Sequence, residues 1–391
     1  MRELPAFLQQ AVERLLAFLA QDGCTDAQFD AMALELFALQ YEHDEAYRRF
    51  CQRRGASPRR VQSWRDIPPV PISAFKDATL SCIPPPDCER IFMTSGTTRG
   101  DVKGRNHHPV MEVWDLSMRK HFEQRFLGAA RRLPMATLFP SHEQLPNSSL
   151  ARYLSNAVRE YGTPGSRSFV DVQHGLDIAG LLDWLASAQA GGEPVAMLGA
   201  SFSFVHVFDA LGERRIPLPA GSLLLDTGGY KGQSRDVPLE DFYQRLSFAF
   251  GVPRERCINM YGMTELSSQF YDAGNAVVPS VKHAPHWVRT RVVDPLTGRD
   301  VARGKRGVLA HCDLANFNSA TAILTEDVGV MVEGGGTPLT APSPRGGEGD
   351  RERVVGEGDF HSAFLLLGRA EGAEAKGCSL AVQDFLEATR A

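Results

Sequence analysis

Apolar side chains recur along this chain with two different periods, and the alternation between them is the first guide to its architecture. Near the start, Leu4, Phe7, Leu8, Val12, Leu15, Leu16 and Leu19 share one helical face, broken by Glu13 and Arg14. That spacing predicts a packed amphipathic helix. Phe29, Met32, Leu36, Phe37 and Tyr41 predict a second helical stretch over 28–51. Residues 67–76 carry Pro68, Pro69 and Pro71; they are too rich in proline for a helix or a central strand and read as an ordered extended connector. Beyond them, short apolar runs at 91–93, 135–139, 168–172, 195–199, 222–225 and 257–260 read as strands. Amphipathic helices are expected between them, near 111–127, 149–161, 178–190, 203–213 and 239–250. Strand and helix alternating in this way predict an α/β architecture with mainly parallel strands. Residues 288–312 change character and suggest a small antiparallel β subdomain.

One segment breaks the pattern. Glycine and proline supply 11 of the 26 residues at 334–359, with mixed charge and almost no bulky apolar side chain. Such a stretch buries too little surface to offset its ordering entropy, so a disordered insertion is expected there. A chain of 391 residues also exceeds the ~250–300 residues at which single cores stop growing. The expected division is therefore a large domain at 1–328, a linker at 329–363 holding the insertion, and a short C-terminal segment at 364–391.

Charge and cysteine content narrow the function. The net charge of -5 gives no electrostatic footprint for nucleic acid or a membrane surface. No signal-peptide pattern precedes the first helix, and no run of ~20 apolar residues offers a membrane span. Seven cysteines, an odd number scattered through the chain, read as reduced thiols of a cytoplasmic protein rather than a disulfide framework.

Three polar turns follow predicted strands. The first is Thr94-Ser95-Gly96-Thr97-Thr98-Arg99-Gly100-Asp101-Val102-Lys103-Gly104. Small hydroxyl residues around glycine let N–H and Oγ groups converge on phosphate oxygens, and a lysine adds countercharge. A plain polar turn is the bland alternative, and the Walker pattern is absent. The second, Asp226-Thr227-Gly228-Gly229-Tyr230-Lys231-Gly232, opens a strand into a glycine pair where a ligand ring can approach backbone; a simple Gly-Gly turn would look the same. The third, Tyr261-Gly262-Met263-Thr264-Glu265, offers a stacking face, a hydroxyl and a hard oxygen for Mg²⁺. A helix N-terminus capped near Thr264 would explain most of that sequence equally well.

In this order the three turns resemble the adenylate-forming superfamily of acyl-CoA synthetases, adenylation domains and luciferase. The resemblance implies that Ser95, Gly96, Thr97, Thr98 and Lys103 hold pyrophosphate. It implies that Gly228, Gly229, Tyr230, Tyr261 and Gly262 form the adenine site, that Thr264 meets the α-phosphate and that Glu265 binds Mg²⁺. Asp327, in Thr325-Glu326-Asp327, matches a ribose-binding aspartate, and Arg369, in Gly368-Arg369, matches the hinge before the small C-terminal domain. The first loop departs from the pattern, because Arg99 replaces a glycine and Lys103 sits one residue late.

A narrower resemblance spans nearly the whole chain. Pro71-Ile72-Ser73-Ala74-Phe75-Lys76, the Thr227–Gly232 turn, residues 261–269 and Lys376-Gly377-Cys378-Ser379-Leu380 are similar to the acyl-protein synthetase (LuxE) family. That likeness implies an adenylate-forming fold with a truncated C-terminal domain, ATP and Mg²⁺ as cofactors, and a long-chain fatty acid as substrate. It further implies a possible acyl-reductase partner and an acyl group carried on Cys378, 13 residues before Ala391. Gly377, Lys376 and Ser379 around the cysteine suggest an exposed, electropositive setting that lowers its pKa, against the usual reading of cysteine as a small buried hydrophobe. Lys376, Lys231 and Lys103 remain open as the lysine that assists adenylation. Residues 195–211 are equally readable as acyl-channel lining or as core, and one of His107 and His108 is expected at the surface. The rival functions are an acyl-CoA ligase, with Cys378 incidental, and a nucleotide-binding relative without catalysis.

Overall fold

A computed structural model describes residues 4–95, 102–128, 130, 132–230, 232–302, 304–332 and 363–389. The glycine- and proline-rich stretch at 334–359 lies outside them. The chain packs as two compact units, Met1–Glu89 with Val281–Ala391, and Arg90–Ser280.

Helices open the first unit: α1 (Ala6–Leu19), α2 (Asp26–His43) and α3 (Glu45–Arg53). The apolar stripe of α1 is inward as its spacing requires, with Leu8, Val12, Leu15 and Leu19 buried. The single helical stretch expected over 28–51 is two helices. Asp44 leaves the helical conformation, and its carboxylate accepts from the Tyr47 N–H and caps α3. The proline connector is ordered and does more than join. Its residues form β1 (Val70–Pro71) and the short helix α4 (Ala74–Asp77).

In the second unit β2 (Arg90–Met93) and β3 (Arg105–His108) form an antiparallel ribbon. There follow α5 (Glu112–Phe122), β4 (Met135–Leu138), α6 (Ser149–Tyr161) and three two-residue strands, β5 (Arg167–Ser168), β6 (Val170–Asp171) and β7 (Gly175–Leu176). The strand expected at 168–172 is thus split, because β5 pairs with β4 while β6 turns away to pair with β7. Then come α7 (Ile178–Gly191), β8 (Ala196–Ala200), α8 (Ser201–Leu211), β9 (Leu223–Thr227), α9 (Leu239–Phe250), β10 (Cys257–Tyr261) and β11 (Phe270–Tyr271).

Strands β10, β9, β8, β4 and β5 are parallel neighbours in that order, with β11 antiparallel on β10. The central strands are mainly apolar because both faces are covered, with polar residues such as Asp226, Thr227 and Asn259 toward the carboxyl ends of β9 and β10. Met197, Leu224 and Cys257 enter one core with α7, α8 and α9. Their neighbours Ala196, Leu198, Leu223, Leu225 and Ile258 point to the opposite core, with α5 and α6. The period of 2 along each strand is what divides them. Val195 to Leu211, read from sequence as either channel or core, contribute most of their large side chains to these cores.

The first unit resumes with β12 (Val281–His283), β13 (Val288–Val293), β14 (Gly307–Asp313), β15 (Ala322–Met331) and β16 (Ala363–Arg369), and the described chain closes with α10 (Gly372–Thr389). The antiparallel order is β13-β14-β15-β16-β12, and β1 adds a parallel pairing to β15 through Val70–Ile323 and Pro71–Leu324. Buried Gln40 ties α2 to the turn before β15. Its amide donates to the Asn316 and Phe317 carbonyls, each at 3.0 Å, and accepts from Thr321 N and Oγ1 at 3.1 and 2.7 Å. Helix α10 docks on α3 through Phe50–Phe385 ring contact and through Arg53, which pairs with Asp384 at 3.0 Å and Glu387 at 2.7 Å.

Gly199 lies opposite Leu138 in the β4–β8 pairing, and a Cβ there would stand 2.6 Å from Leu138 Cβ and 3.1 Å from its carbonyl oxygen. Gly199→Ala should therefore push two central strands apart and cost about 1–3 kcal/mol. Urea unfolding, read as a lower midpoint at unchanged slope, checks this.

Candidate functional site

Three parallel strands end level with one another. Ala200 on β8 is in register with Thr227 on β9, and Thr227 is in register with Met260 on β10. Ser201, Gly228 and Tyr261 therefore come next along their strands at one edge of the sheet, where open α/β folds bind ligands. Thr227 fastens the edge by donating its hydroxyl to the Met260 carbonyl at 2.8 Å. Gly228 takes a φ of 75°, which favours glycine, and neither Gly228 nor Gly229 would bring a Cβ within 4 Å of another group. The backbone there is open to an approaching ring.

Tyr261 is buried against Phe270, ring centres 5.5 Å apart, while Gly262 is exposed. Tyr230 turns away toward the core, its hydroxyl donating to the Val237 carbonyl at 2.9 Å and its ring 6.3 Å from Phe242. After Gly262 the chain makes a turn at Thr264-Glu265 and runs on into β11. No helix starts at Thr264, so capping does not account for this sequence, and the buried carboxylate of Glu265 has no macrodipole to serve.

The ribbon β2–β3 brings the first loop to the same turn. Its base is closed by Thr94 N–H to Gly104 O at 3.0 Å and Gly104 N–H to Thr94 Oγ1 at 2.9 Å. Asn106 Nδ2 donates to the Thr264 carbonyl at 3.1 Å. A Cβ on Gly104 would meet Thr94 Cγ2 at 3.1 Å and Glu265 Oε1 at 3.4 Å, so the glycine makes room for the carboxylate beside the loop. Ser95 and Lys103 are exposed. Gly96, Thr97 and Thr98, with Arg99, Gly100 and Asp101, lie outside the described residues, as does Lys231. Asn106 gave no motif signal, and its buried position follows from the packing of β3, not from its sequence.

Neither histidine of the adjacent pair lies at the surface, where one of them is expected. His107 and His108 are both buried, at 4% and 3% exposure. They face opposite sides of β3, as neighbours on a strand must. Burial pushes the His108 imidazole down to about 3, with the charges of His107 and Arg152 adding to it.

In the first unit, Asp327 on β15 and Arg369 on β16 are cross-strand partners and form an ion pair at 3.1 Å. Arg369 also reaches Glu326 at 2.8 Å. Ser73, from the proline-rich motif, donates to the same Glu326. Cys378 lies on α10 among Val293, Val308, Ala310, Leu324 and Ala381, its thiol 3.8 Å from the Thr325 carbonyl.

The exposed, electropositive thiol expected from the flanking residues is not observed. Cys378 is 5% exposed. Burial pushes its thiol up to about 11, Glu326 raises it further, and Arg369 only partly opposes them. Lys376 is exposed and two residues back on the helix, so it does not share the thiol's face. Glycine beside the cysteine serves packing instead, since a Cβ at Gly377 would meet Pro295 Cγ at 2.7 Å.

A family model described as acyl-protein synthetase, LuxE, matches residues 19–339. The long-chain-fatty-acid–luciferin-component ligase of Aliivibrio fischeri is 24% identical over 310 residues, 78% of this chain and 79% of its own. The ligase of the same name from Vibrio harveyi is 22% identical over 357 residues, 89% and 85%. Among solved structures, a 2-hydroxyisobutyryl-CoA ligase in its postadenylation state with 2-HIB-AMP aligns at a TM-score of 0.60 and 15% identity. It covers 89% of this chain, which spans 69% of that chain. The fold is that of the adenylate-forming ligases.

The state of Cys378 has a direct chemical signature. A thiol pushed up to about 11, against ~8.5 for a free cysteine, holds over a hundredfold less thiolate at pH 8. Iodoacetamide should therefore label Cys378 at least about a hundredfold more slowly than a free thiol, with the rate rising about tenfold per pH unit up to that value. Peptide mass spectrometry of the folded protein and of a urea-unfolded control checks it.

Proposed function

The chain belongs to the acyl-protein synthetase (LuxE) family, and on that footing we propose that it activates a long-chain fatty acid with ATP and carries the acyl group on Cys378. The supporting observation is the convergence of the Thr94–Gly104 loop base, the Gly228-Gly229 turn and the Thr264-Glu265 turn on the strand ends of β9 and β10.

The reaction has two half-steps. A carboxylate oxygen of the acid bonds to the α-phosphorus of ATP, the bond from that phosphorus to the bridging oxygen breaks, and pyrophosphate leaves. The Cys378 sulfur then bonds to the acyl carbon as AMP departs, the thiol proton passing to a base or solvent. In the first half-step Ser95, Gly96, Thr97, Thr98 and Lys103 contact the departing phosphates. Gly228, Gly229, Tyr261 and Gly262 hold the base, Asp327 the ribose, and Thr264 the α-phosphate, while Tyr230 packs toward the core instead. Glu265 fits Mg²⁺, because it is a hard anionic ligand given room by Gly104 beside a phosphate loop. When bound, the metal neutralises charge on phosphate oxygens. Arg369 serves as the hinge residue of the 364–391 segment. No helix among the described residues is long and apolar enough to cross a membrane; we propose a cytoplasmic enzyme that hands its acyl group to a reductase or another acceptor.

The second half-step has a structural condition. Cys378 meets an acyl-adenylate only if α10 lifts from Val293, Val308, Ala310 and Leu324. The surface ion pairs on α10, such as Arg53–Asp384, are worth at most ~1 kcal/mol each, so the cost of lifting it lies mainly in exposing its buried Cys378, Val382 and Phe385. The same burial favours one rival reading, in which a free thiol such as coenzyme A takes the acyl group. Labelled fatty acid and ATP, followed by a denaturing gel, separate the two. Cys378→Ala should abolish covalent labelling and leave acyl-AMP formation intact; label that persists on the variant names another acceptor.

Glu265→Gln keeps the shape and removes the charge, and should slow ATP–pyrophosphate exchange by roughly a hundredfold, as for loss of one preorganised electrostatic contact. Exchange within a few-fold of the unmodified protein across a Mg²⁺ titration would remove Glu265 from the site.

A further inference from the structure

A buried carboxylate sits directly beneath the glycine turn. Asp226, the residue before Thr227-Gly228-Gly229, is 2% exposed. Its Oδ2 accepts from Ser201 Oγ at 2.8 Å and from Asn259 Nδ2 at 3.0 Å. Its Oδ1 accepts from the Tyr243 hydroxyl at 2.9 Å. The three donors come from three different elements: the first residue of α8, the strand β10, and the helix α9. Ser201 and Tyr243 are themselves buried, at 4% and 1%. Burial, with the Asp226 charge second, raises the Tyr243 phenol well above its ordinary value, so it stays a donor.

The turn above needs this support. Gly228 is exposed, holds a φ of 75°, and has no neighbour within reach of a Cβ; packing of its own does not fix it. What fixes it is the residue pair before it. Thr227 is fastened to the Met260 carbonyl, and the Ser201 hydroxyl that donates to Asp226 also lies 3.2 Å from Thr227 O and 3.3 Å from Gly228 O. A carboxylate is the one side chain that can accept from all three donors at once, since an amide would turn two N–H donors toward groups that also donate.

We propose that Asp226 is the positioning residue of the nucleotide site. Through Ser201, Tyr243 and Asn259 it sets the Gly228-Gly229 turn against the strand end that carries Tyr261. The inference rests on the adenylation reading above and adds a residue that the turn sequences alone do not assign. It concerns the nucleotide and not the acid, so its effect falls on one substrate.

Asp226→Asn, Tyr243→Phe and Ser201→Ala are assayed by ATP–pyrophosphate exchange with ATP and a long-chain fatty acid varied separately, alongside thermal unfolding. Misplacing the turn by a fraction of an ångström should raise the ATP KM about tenfold in Asp226→Asn and about threefold in the two milder variants. The fatty-acid KM should stay within about twofold in all three. Where Asp226→Asn does not fold, the two milder variants decide. An ATP KM within about twofold of the unmodified protein in every folded variant overturns the proposal, even if their melting temperatures fall, because the network would then be structural only. Equal rises in both KM values overturn it as well. Absence of exchange in the unmodified protein is a different failure, which overturns the adenylation reading and this inference together.

Discussion

The parallel pairing of β8, β9 and β10 is the constraint from which the geometry of the second unit follows. Parallel strands can be level at their carboxyl ends only if the connections return each chain to the same starting edge, and here α8 and α9 do so. Because Ala200, Thr227 and Met260 share one register, the chain leaves the sheet three times along one line. Each exit then has its own chemistry: a serine that starts a helix, a glycine pair with open backbone, and a tyrosine followed by a turn. A slip of one residue in any strand would reverse its side chains between the two cores, so the burial of both faces protects the line of exits. Gly199 shows how closely the strands are fitted.

The second unit also shows how polar groups are made safe at such an edge. A buried carboxylate is costly unless hydrogen-bonded. Asp226 meets that requirement with neutral donors from three neighbouring elements, and in doing so couples them. The same economy is visible in the first unit, where Gln40 uses both ends of its amide to fix a turn, and where Glu326 accepts from Ser73 and pairs with Arg369. Polar residues, from the buried Asp226 and Gln40 to the half-buried Glu326, act here as joints between elements that hydrophobic packing alone would leave free to slide.

Cys378 sets two requirements against each other. Helix α10 gains stability by packing the thiol against β13, β14 and β15, and that packing suppresses the thiolate which acyl transfer needs. Nearby acidic groups deepen the effect, with Arg369 the countercharge. As the proposed acceptor, Cys378 is stored where burial protects it from oxidation and from stray acylation. Its reactivity then belongs to the helix's docking equilibrium more than to the cysteine's immediate neighbours.

Much of this was legible in the sequence, because it depends on local patterns. The strand runs, the helices between them and the order of the three polar turns follow from periodicities of 2 and 3.6 and from glycine's backbone freedom, which are properties of adjacent residues. The proline-rich motif, the Thr325–Asp327 triplet and the Cys378 motif stand out in the sequence through resemblance to a family and not through periodicity. What the sequence could not supply was which polar groups meet. Asp226 finds donors 17 to 33 residues away, Asn106 reaches Thr264, and the break at Asp44 arises because its carboxylate caps the next helix. The polar neighbours of Cys378 suggested exposure, yet on a helix those neighbours point elsewhere and only the docking of α10 decides the thiol's surroundings. His107 and His108 behave in the same way: adjacent polar residues on a strand predict one exposed face, yet both faces of β3 are covered. Local sequence determined the elements and the kinds of group they carry. Tertiary packing alone decided burial, pairing and proton affinity, because these depend on what the rest of the chain brings within a few ångströms.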